Sequence, residues 1–209
     1  MPITIVIADD HPMCSEAAKM AVDSLGLSLT TIQVDCLAAA IDALSTDTAL
    51  LILDLGLPDS QGAASLATIV ERHPALSVIV VSASDSARMQ RTVKMIGAKG
   101  FVSKSAPFPV HVRAFQAVLN GSEWFADLGE DADDPELERN LAAMNSLTPA
   151  QRRVLDAMAG GRLNKQIAHD LQLSEITIKA HVKAILRKLE VSNRTQAILL
   201  VKSILSEPT

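Results

Sequence analysis

One aspartate, Asp54, follows an apolar run and precedes a loop that contains proline and glycine. The run at 50–53, Leu-Leu-Ile-Leu, predicts a strand buried on both faces, as in a parallel sheet. Asp54 then stands at the carboxyl end of that strand, where open α/β sheets bind their ligands. Pro58 and Gly62 end the strand and open a loop. Taken alone, Asp54 is better explained as a turn or helix-cap residue. The residues at the other strand ends decide whether Asp54 has a chemical function instead.

A second acidic group, Asp9 and Asp10, follows the first predicted strand. One carboxylate would cap the helix that Pro12 begins, whereas two adjacent carboxylates repel each other. If the first and third strands are neighbours, Asp9, Asp10 and Asp54 converge on one pocket. Three close carboxylates cannot all ionise in a partly buried site without a cation. A set of oxygen ligands without nearby His or Cys selects Mg²⁺, so we predict a magnesium site.

Two further strand ends supply a hydroxyl and an ammonium group. Ser82 follows the fourth apolar run and Lys104 follows the fifth. Alone, Ser82 is a turn hydroxyl and Lys104 a solvated surface charge. Together with the acidic groups they suit a phosphoryl group on Asp54, because Mg²⁺ and Lys104 would neutralise its oxygens and Ser82 would donate a hydrogen bond.

Alternating strands and helices must position these residues. The patterns predict strands at 3–8, 31–34, 50–53, 78–81 and 100–103, and helices at 12–25, 37–45, 61–73, 86–96 and 107–120. This alternation predicts an α/β fold, a five-stranded parallel (βα)5 sheet with helices on both faces. Strands one, three and four are the most apolar and should be central.

The same residues resemble the receiver domain of two-component response regulators over about residues 3–121. The resemblance implies that a sensor histidine kinase phosphorylates Asp54, and that Asp10, Asp54 and the Gly56 carbonyl bind Mg²⁺ with Asp9 in or near that shell. It also implies that Ser82 and Phe101 form a switch pair, with the ring turning inward on phosphorylation. Phe101 stands where Tyr is common, and Ser105 stands where many receivers have Pro after Lys104.

Charge is distributed unevenly along the 209 residues. The net charge is −5 for residues 1–128, −5 for residues 129–145 and +5 for residues 146–209. A basic final part suggests a nucleic-acid partner for that part alone. The two cysteines fit a reducing compartment, and no signal peptide or membrane span is predicted, so we expect a cytoplasmic protein. The 48% hydrophobic content excludes wholesale disorder.

The charge pattern and the receiver resemblance together predict three parts: a receiver domain at 1–125, a linker at 126–144 and a small all-α domain at 145–209. The linker is acidic with a helical second half, and its dense run at 129–136 is interpreted as a solvated segment, or alternatively as a strip that pairs with the basic domain. Four helices are predicted in the final domain, with a helix-turn-helix at about 163–188. Thr148, Pro149 and Gln151 form a helix-start signal, and Ser174 caps the third helix.

The third of these helices has two faces at 100° per residue. One face is apolar, with Ile178, Val182, Ile185 and Leu189, and the other carries Lys179, Ala180, Lys183 and Arg187. A solvated basic face on a core helix would explain the pattern. A recognition helix in the DNA major groove explains the pattern better. Two helices are joined by a tight turn, and the second of them carries basic side chains on its outward face.

The final domain also resembles the LuxR-type helix-turn-helix, through Asn164-Lys165-Gln166-Ile167-Ala168, Thr177-Ile178-Lys179-Ala180-His181-Val182 and further matches over about 145–205. The resemblance implies base contacts from Lys179, Ala180 and Lys183, and phosphate contacts near Lys165, Ser174 and Thr177. It implies a homodimer through the last helix, at Ala197, Ile198, Leu200, Val201 and Ile204. Ala150, Gln151 and Arg153 replace acidic and basic residues frequent in that family, which implies the loss of an ion pair.

These observations predict a response regulator of the LuxR (NarL/FixJ) class, which binds promoter DNA after phosphorylation of Asp54, with RNA polymerase as a further candidate partner. Its only chemistry would be phosphoryl transfer to itself and slow hydrolysis of the product. One alternative is an adaptor whose helix-turn-helix no longer reads DNA. Another is a Mg²⁺-dependent phosphohydrolase, which would need a carboxylate where Gly56 stands.

Overall fold

A computed structural model divides the chain into two compact units, Met1–Ala132 and Asp133–Thr209. It describes residues 3–84, 86–126 and 135–205.

The first unit is a five-stranded parallel sheet covered by helices, as predicted. Its elements in chain order are β1 (Ile3–Ala8), α1 (Pro12–Asp23), β2 (Leu29–Val34), α2 (Leu37–Ala43), β3 (Thr48–Asp54), α3 (Ala63–Arg72), β4 (Ser77–Ser82), α4 (Ala87–Ile96), β5 (Gly100–Ser103) and α5 (Phe108–Leu119). The strand order is β2-β1-β3-β4-β5, so β3 is central and β1 and β4 flank it. The order reverses between β1 and β3, which places the switch point where Asp10 and Asp54 lie.

Two apolar layers hold this sheet. Leu51 and Leu53 of β3 pack toward α2, α3 and α4. Leu50 and Ile52 pack toward α1 and α5. Because all four are at most 2% exposed, the strand is apolar at every position rather than at alternate ones. Each such side chain contributes about 1.5–3 kcal/mol of transfer free energy, which fixes the strand carrying Asp54 firmly in the sheet.

The free edge of β5 is covered by residues 124–126, here called the edge strap. The Phe101 N–H donates to the Trp124 carbonyl at 2.8 Å, and the Trp124 N–H donates to the Lys99 carbonyl at 2.9 Å. The Ala126 N–H donates to the Gln90 side chain of α4 at 3.3 Å. Trp124 packs on the α1–α5 side of the sheet and Phe125 on the α2–α4 side. The strap therefore fastens the end of the first unit to both β5 and α4.

The second unit consists of helices: α6 (Pro135–Asn145), α7 (Pro149–Ala159), α8 (Asn164–Asp170), α9 (Glu175–Lys188) and α10 (Arg194–Leu205). The four predicted helices are present. The helix predicted as the second half of the linker is α6, which contacts α10 and buries Leu141 to 1% exposure. That half therefore belongs with the second unit, while most of the predicted acidic strip lies outside the described residues. None of the helices that the structure describes is long and apolar enough to cross a membrane.

Candidate functional site

Asp54 ends β3 and its carboxylate is held from both sides. The residue is 5% exposed. The Gly56 N–H donates to Oδ1 at 2.8 Å, and the Lys104 ammonium donates to Oδ2 at 2.7 Å. A Cβ atom at Gly56 would lie only 3.3 Å from Oδ1, so glycine allows the backbone to approach the carboxylate. The carbonyl of Gly56, predicted as a metal ligand, stays a prediction.

Lys104 joins the carboxylates that follow β1 and β3. Its Nζ lies 2.7 Å from Asp54 Oδ2 and 2.9 Å from Asp9 Oδ2. The Lys104 side chain is 13% exposed and that of Asp9 is 6% exposed. Burial lowers the pKa of Lys104, but hydrogen bonds to Asp54 and Asp9 outweigh it and hold the pKa above its usual value. Lys104 is therefore a permanent cation inside an acidic pocket.

The acidic cluster also contains a histidine. One ligand atom each from Asp9, Asp10, His11 and Asp54 lies within 4.8 Å of the others. His11 Nδ1 is 2.8 Å from Asp10 Oδ1 and 3.4 Å from Asp9 Oδ1. The prediction of a site without nearby His was wrong in this respect. Three carboxylates in reach of one point fit a divalent cation, with Asp9, Asp10 and Asp54 as the hard ligands that suit Mg²⁺.

The proposed switch residues lie along β4 and β5. Ser82 is 4% exposed, and its carbonyl accepts a hydrogen bond from the Lys104 N–H at 2.7 Å. The ring of Phe101 is 4% exposed and packs in the α2–α4 layer. Phe101 is thus buried without phosphorylation, and its role in a switch stays a prediction. The Lys104–Ser105 peptide, whose isomer the sequence leaves open, is trans.

A cavity of roughly 260 Å³ lies beside the acidic pocket, between α1 and α5. Asp9, Asp54 and Lys104 form one end, and mainly apolar side chains form the rest. Cys14 lines it, and burial, followed by the nearby Asp9 charge, raises the pKa of the Cys14 thiol. A raised pKa favours the neutral thiol over the reactive thiolate. The sequence did not predict this cavity, because it opens between the strand ends and the faces of α1 and α5, and a sequence pattern does not give the spacing between those helices.

In the second unit, α8, a short turn and α9 form a helix-turn-helix. Gln172 adopts a left-handed conformation in the turn, with φ of 54°. Ser174 caps α9, since its hydroxyl oxygen accepts from the Thr177 N–H at 3.1 Å. The Ser174 and Thr177 hydroxyls are also 2.8 Å apart. Both residues thus lie at the N-terminus of α9, and Lys165 is exposed on α8. Their predicted phosphate contacts stay predictions.

The two predicted faces of α9 are present. Ile178 and Ile185 are fully buried and Leu189 is 3% exposed. The opposite face is exposed and carries Lys179, Ala180, Lys183 and Arg187. Lys179 Nζ lies 3.0 Å from Glu175 Oε1, one turn before it. A base contact from Lys179 would therefore replace this exposed ion pair, which is worth little in water.

The predicted loss of an ion pair near α7 is matched by a different contact. Gln151 takes part in a capping box with Thr148. Its side-chain oxygen also accepts a hydrogen bond from Lys188 Nζ at 3.0 Å. A hydrogen bond to a charged donor thus joins α7 to the end of α9, where an acidic residue would have made an ion pair.

Comparison with known proteins decides the family. Residues 5–115 match the family described as "Response regulator receiver domain", and residues 145–201 match "Bacterial regulatory proteins, luxR family". This chain is a LuxR-type response regulator. It is 35% identical over 206 residues to the glycerol metabolism activator of Pseudomonas putida, with 93% of each chain covered.

Two further relatives of this response regulator extend over nearly its whole length. The nitrate/nitrite response regulator protein NarL of Escherichia coli (strain K12) is 29% identical, with 96% of this chain and 95% of NarL covered. A solved structure of RcsB from Salmonella enterica serovar Typhimurium, bound to promoter P1flhDC with phosphomimetic BeF₃⁻, is 25% identical with a TM-score of 0.55. The alignment covers 98% of this chain and all of that one. A receiver domain and a DNA-binding domain for transcription regulation are thereby shown for the response regulator.

The predicted dimer surface of the response regulator needs correction. Ala197, Val201 and Ile204 are at most 5% exposed within their own unit. They pack in the core of that unit, so their exposure does not support the predicted contact with a second copy. Ile198 and Leu200 are half-buried, while Leu199, which was not predicted, is 60% exposed. At 100° per residue these five predicted residues fall on one broad apolar face of α10, so the pattern did not separate core-facing residues from those at the edge of that face.

Proposed function

We propose that this response regulator accepts a phosphoryl group on Asp54 and that this modification controls how α9 reads promoter DNA. The position of Lys104 supports the proposal best, because its ammonium lies 2.7 Å from Asp54 Oδ2 and 2.9 Å from Asp9 Oδ2. A nucleophilic carboxylate, a cation and further acidic ligands thus share one pocket. This combination stabilises the charge that develops on transferred phosphoryl oxygens.

In the proposed transfer, a carboxylate oxygen of Asp54 forms the bond to phosphorus while the bond to the donor breaks. The donor, a sensor histidine kinase, keeps that electron pair. Lys104 would then move from the carboxylate to a phosphoryl oxygen, and the Ser82 hydroxyl would donate to another. Mg²⁺, when held by Asp9, Asp10, Asp54 and the Gly56 carbonyl, would neutralise charge on these oxygens. Attack by water would later release phosphate.

We propose no enzymatic activity beyond this self-modification. A phosphohydrolase that forms an aspartyl phosphate would need a general acid two residues after its nucleophile, and that position is Gly56. The cytoplasm stays the proposed location, in keeping with promoter DNA as partner and with the free thiols of Cys14 and Cys36.

Mass spectrometry tests the phosphoacceptor. The protein is incubated with a small phosphodonor and Mg²⁺, and one added phosphoryl group is expected on the wild type. Asp54→Ala should show none. Asp47→Ala serves as the matched control, because Asp47 is exposed at the opposite end of β3 and should leave the adduct unchanged. Persistence of the adduct in Asp54→Ala would falsify the assignment, and chelation of the metal should abolish it in the wild type.

The exposed basic face of α9 supports the second half of the proposal. Lys179, Ala180 and Lys183 would contact base edges, and Arg187, Lys165, Ser174 and Thr177 would contact phosphates. Two copies on DNA would read half-sites about 34 Å apart, or a multiple of that distance. A gel shift with genomic DNA separates this function from an adaptor role, which predicts no shift. RNA polymerase is proposed as a partner of the promoter-bound dimer.

A further inference from the structure

Ile176 is a large apolar side chain that stands in water near the start of α9. It is 80% exposed. Among the second-unit residues that the structure describes, no other large apolar side chain is as exposed; Leu163, at 67%, comes next. Scattered exposed apolar side chains are ordinary on protein surfaces, so exposure alone carries no conclusion. The residues around Ile176 do support a conclusion about its role.

The neighbours of Ile176 are the residues proposed to read DNA. At 100° per residue, Lys179, Ala180, Lys183 and Arg187 all lie within about 60° of Ile176 around the helix axis. Ile178 and Ile185, which are fully buried, lie on the opposite side. Ile176 is therefore centred on the exposed basic face. The basic face predicted from the sequence did not include Ile176, although the same angle of 100° per residue places Ile176 on that face.

We propose that Ile176 is a specificity residue that contacts the C5-methyl group of a thymine in the major groove. The inference rests on the proposed function, in which α9 enters that groove. Ile176 is the second residue of α9, and the N-terminal residues of a recognition helix are those that contact base edges. Thymine is the only base that presents a methyl group there, and apolar side chains distinguish it by that group.

The composition of the surface favours this occupant over an apolar protein partner. An apolar partner would have to bury the ammonium groups of Lys179 and Lys183 around the contact, at a large desolvation cost. The major groove offers base-edge acceptors to these cations and an apolar methyl group between them. Ala180 lies one turn after Ile176, and its small side chain leaves room for the base edge. The arrangement of one branched apolar residue among cations thus matches the chemistry of a thymine-containing groove.

The test removes single methyl groups from the DNA. The phosphorylated full-length protein first selects a duplex from a random-sequence library, and each thymine of that duplex is then replaced by deoxyuridine. Fluorescence anisotropy should show about a fourfold loss of affinity at one thymine per half-site, the factor that burial of one methyl-sized group supplies. Ile176→Ala should bind the parent duplex more weakly and should lose this uracil penalty. Ile176→Val, which keeps the branched methyl groups, should retain most of it.

Lys179→Ala is the matched control on the same face. It should weaken binding to every duplex while keeping the uracil penalty. If Ile176→Ala kept the full penalty, or if no thymine showed one, the assignment of Ile176 would be wrong. Higher DNA affinity of unphosphorylated Ile176→Ala with an unchanged uracil penalty would overturn it too, because the side chain would then face protein. Normal binding by both Lys179→Ala and Lys183→Ala would instead contradict the proposed reading face itself.

Discussion

At the scale of single residues, Lys104 compensates the charge of the acidic pocket. Its ammonium contacts Asp9 and Asp54, and all three side chains are largely buried. The loss of one partner leaves buried charges without compensation, which is costly. In the unmodified pocket, the ammonium group of Lys104 therefore compensates the charges of Asp9 and Asp54. A bound divalent cation would share that role, and a phosphoryl group on Asp54 would add oxygens that the ammonium group must also compensate.

We expect Lys104→Met to lower the free energy of unfolding by about 3–5 kcal/mol in buffer without divalent cations. Added Mg²⁺ should recover part of this loss, because a cation can replace the missing ammonium. Urea unfolding with and without Mg²⁺ measures both effects. Lys19→Met is the matched control, because Lys19 pairs with Asp23 one helical turn away on the surface. It should change stability little, and an equal loss in both variants would contradict the role of Lys104.

The sequence predicted those pocket residues that lie at the carboxyl ends of strands. Asp9, Asp54 and Lys104 each follow an apolar run, and parallel strands bring their carboxyl ends to one edge. His11 was missed, although it is next to the acidic pair. Its approach to Asp10 depends on a side-chain rotamer, and a sequence pattern contains no information about rotamers. The predicted dimer residues lie on the apolar face of α10, and a sequence pattern does not say whether such a face packs in its own unit or against a second copy.

At the scale of elements, the loop after Asp54 holds the start of α2. The Leu37 N–H donates to Asp59 Oδ1 at 2.7 Å, and the Ala38 N–H donates to Oδ2 at 2.9 Å. These backbone hydrogen bonds hold the pKa of Asp59 below its usual value. Helix caps usually come from the preceding residue, whereas this one comes from a loop 21–22 residues later in the chain.

We expect Asp59→Ala to loosen the first turn of α2, because two amide groups lose their acceptor. Hydrogen exchange at Leu37 and Ala38 should quicken. Since the pKa of Asp59 is lowered on folding, its contribution is complete above the usual value of 3.8 and is lost as the pH falls through the lower, folded-state pKa. The difference in urea midpoint between wild type and Asp59→Ala should therefore shrink below pH 3.8. A difference that stayed constant in acid would rule out the cap.

The edge strap is the element that the sequence did not reveal. Trp124 contributes one isolated bridge to β5, which is too short for any apolar periodicity. Gly100 makes the bridge possible, since a Cβ atom there would lie 3.0 Å from the Ile79 side chain and 3.1 Å from the Trp124 carbonyl. By contrast, the strands and most helices were predicted within a few residues, because long apolar patterns specify them.

Gly100→Ala should push the strap away from β5. Trp124 is the only tryptophan of the chain, so its fluorescence reports the strap alone. We expect a red-shifted emission and easier quenching by acrylamide, because the indole becomes more exposed. Gly160→Ala is the control, since a Cβ atom there meets nothing closer than 3.6 Å. Unchanged emission in Gly100→Ala would show that the strap tolerates the added methyl group.

At the scale of the whole molecule, the compact second unit begins before residue 145, where the luxR family match starts. Leu141 of α6 is 1% exposed, and α6 contacts α10. A fragment of residues 146–209 should therefore be less stable than one of residues 135–209. Leu141→Ala in the longer fragment should cost about 2–5 kcal/mol by cavity formation. Thermal melting of the three proteins checks this, and equal stability of both fragments would contradict the role of α6.

The longer fragment also tests how phosphorylation controls DNA binding. Residues 146–209 carry a net charge of +5 while residues 1–128 carry −5, so the affinity for DNA resides in the second unit.

If the first unit inhibits DNA binding until Asp54 is modified, residues 135–209 should bind the selected duplex without a phosphodonor, and more tightly than the unmodified full chain. If phosphorylation acts by joining two copies instead, the fragment should bind as weakly as the unmodified chain, and only the phosphorylated full chain should occupy both half-sites. Anisotropy titrations of the three proteins at one common salt concentration distinguish these outcomes, because DNA affinities are comparable only at the same ionic strength. We expect inhibition, since the basic face of α9 is complete and exposed within its own unit and needs no rearrangement there to meet DNA.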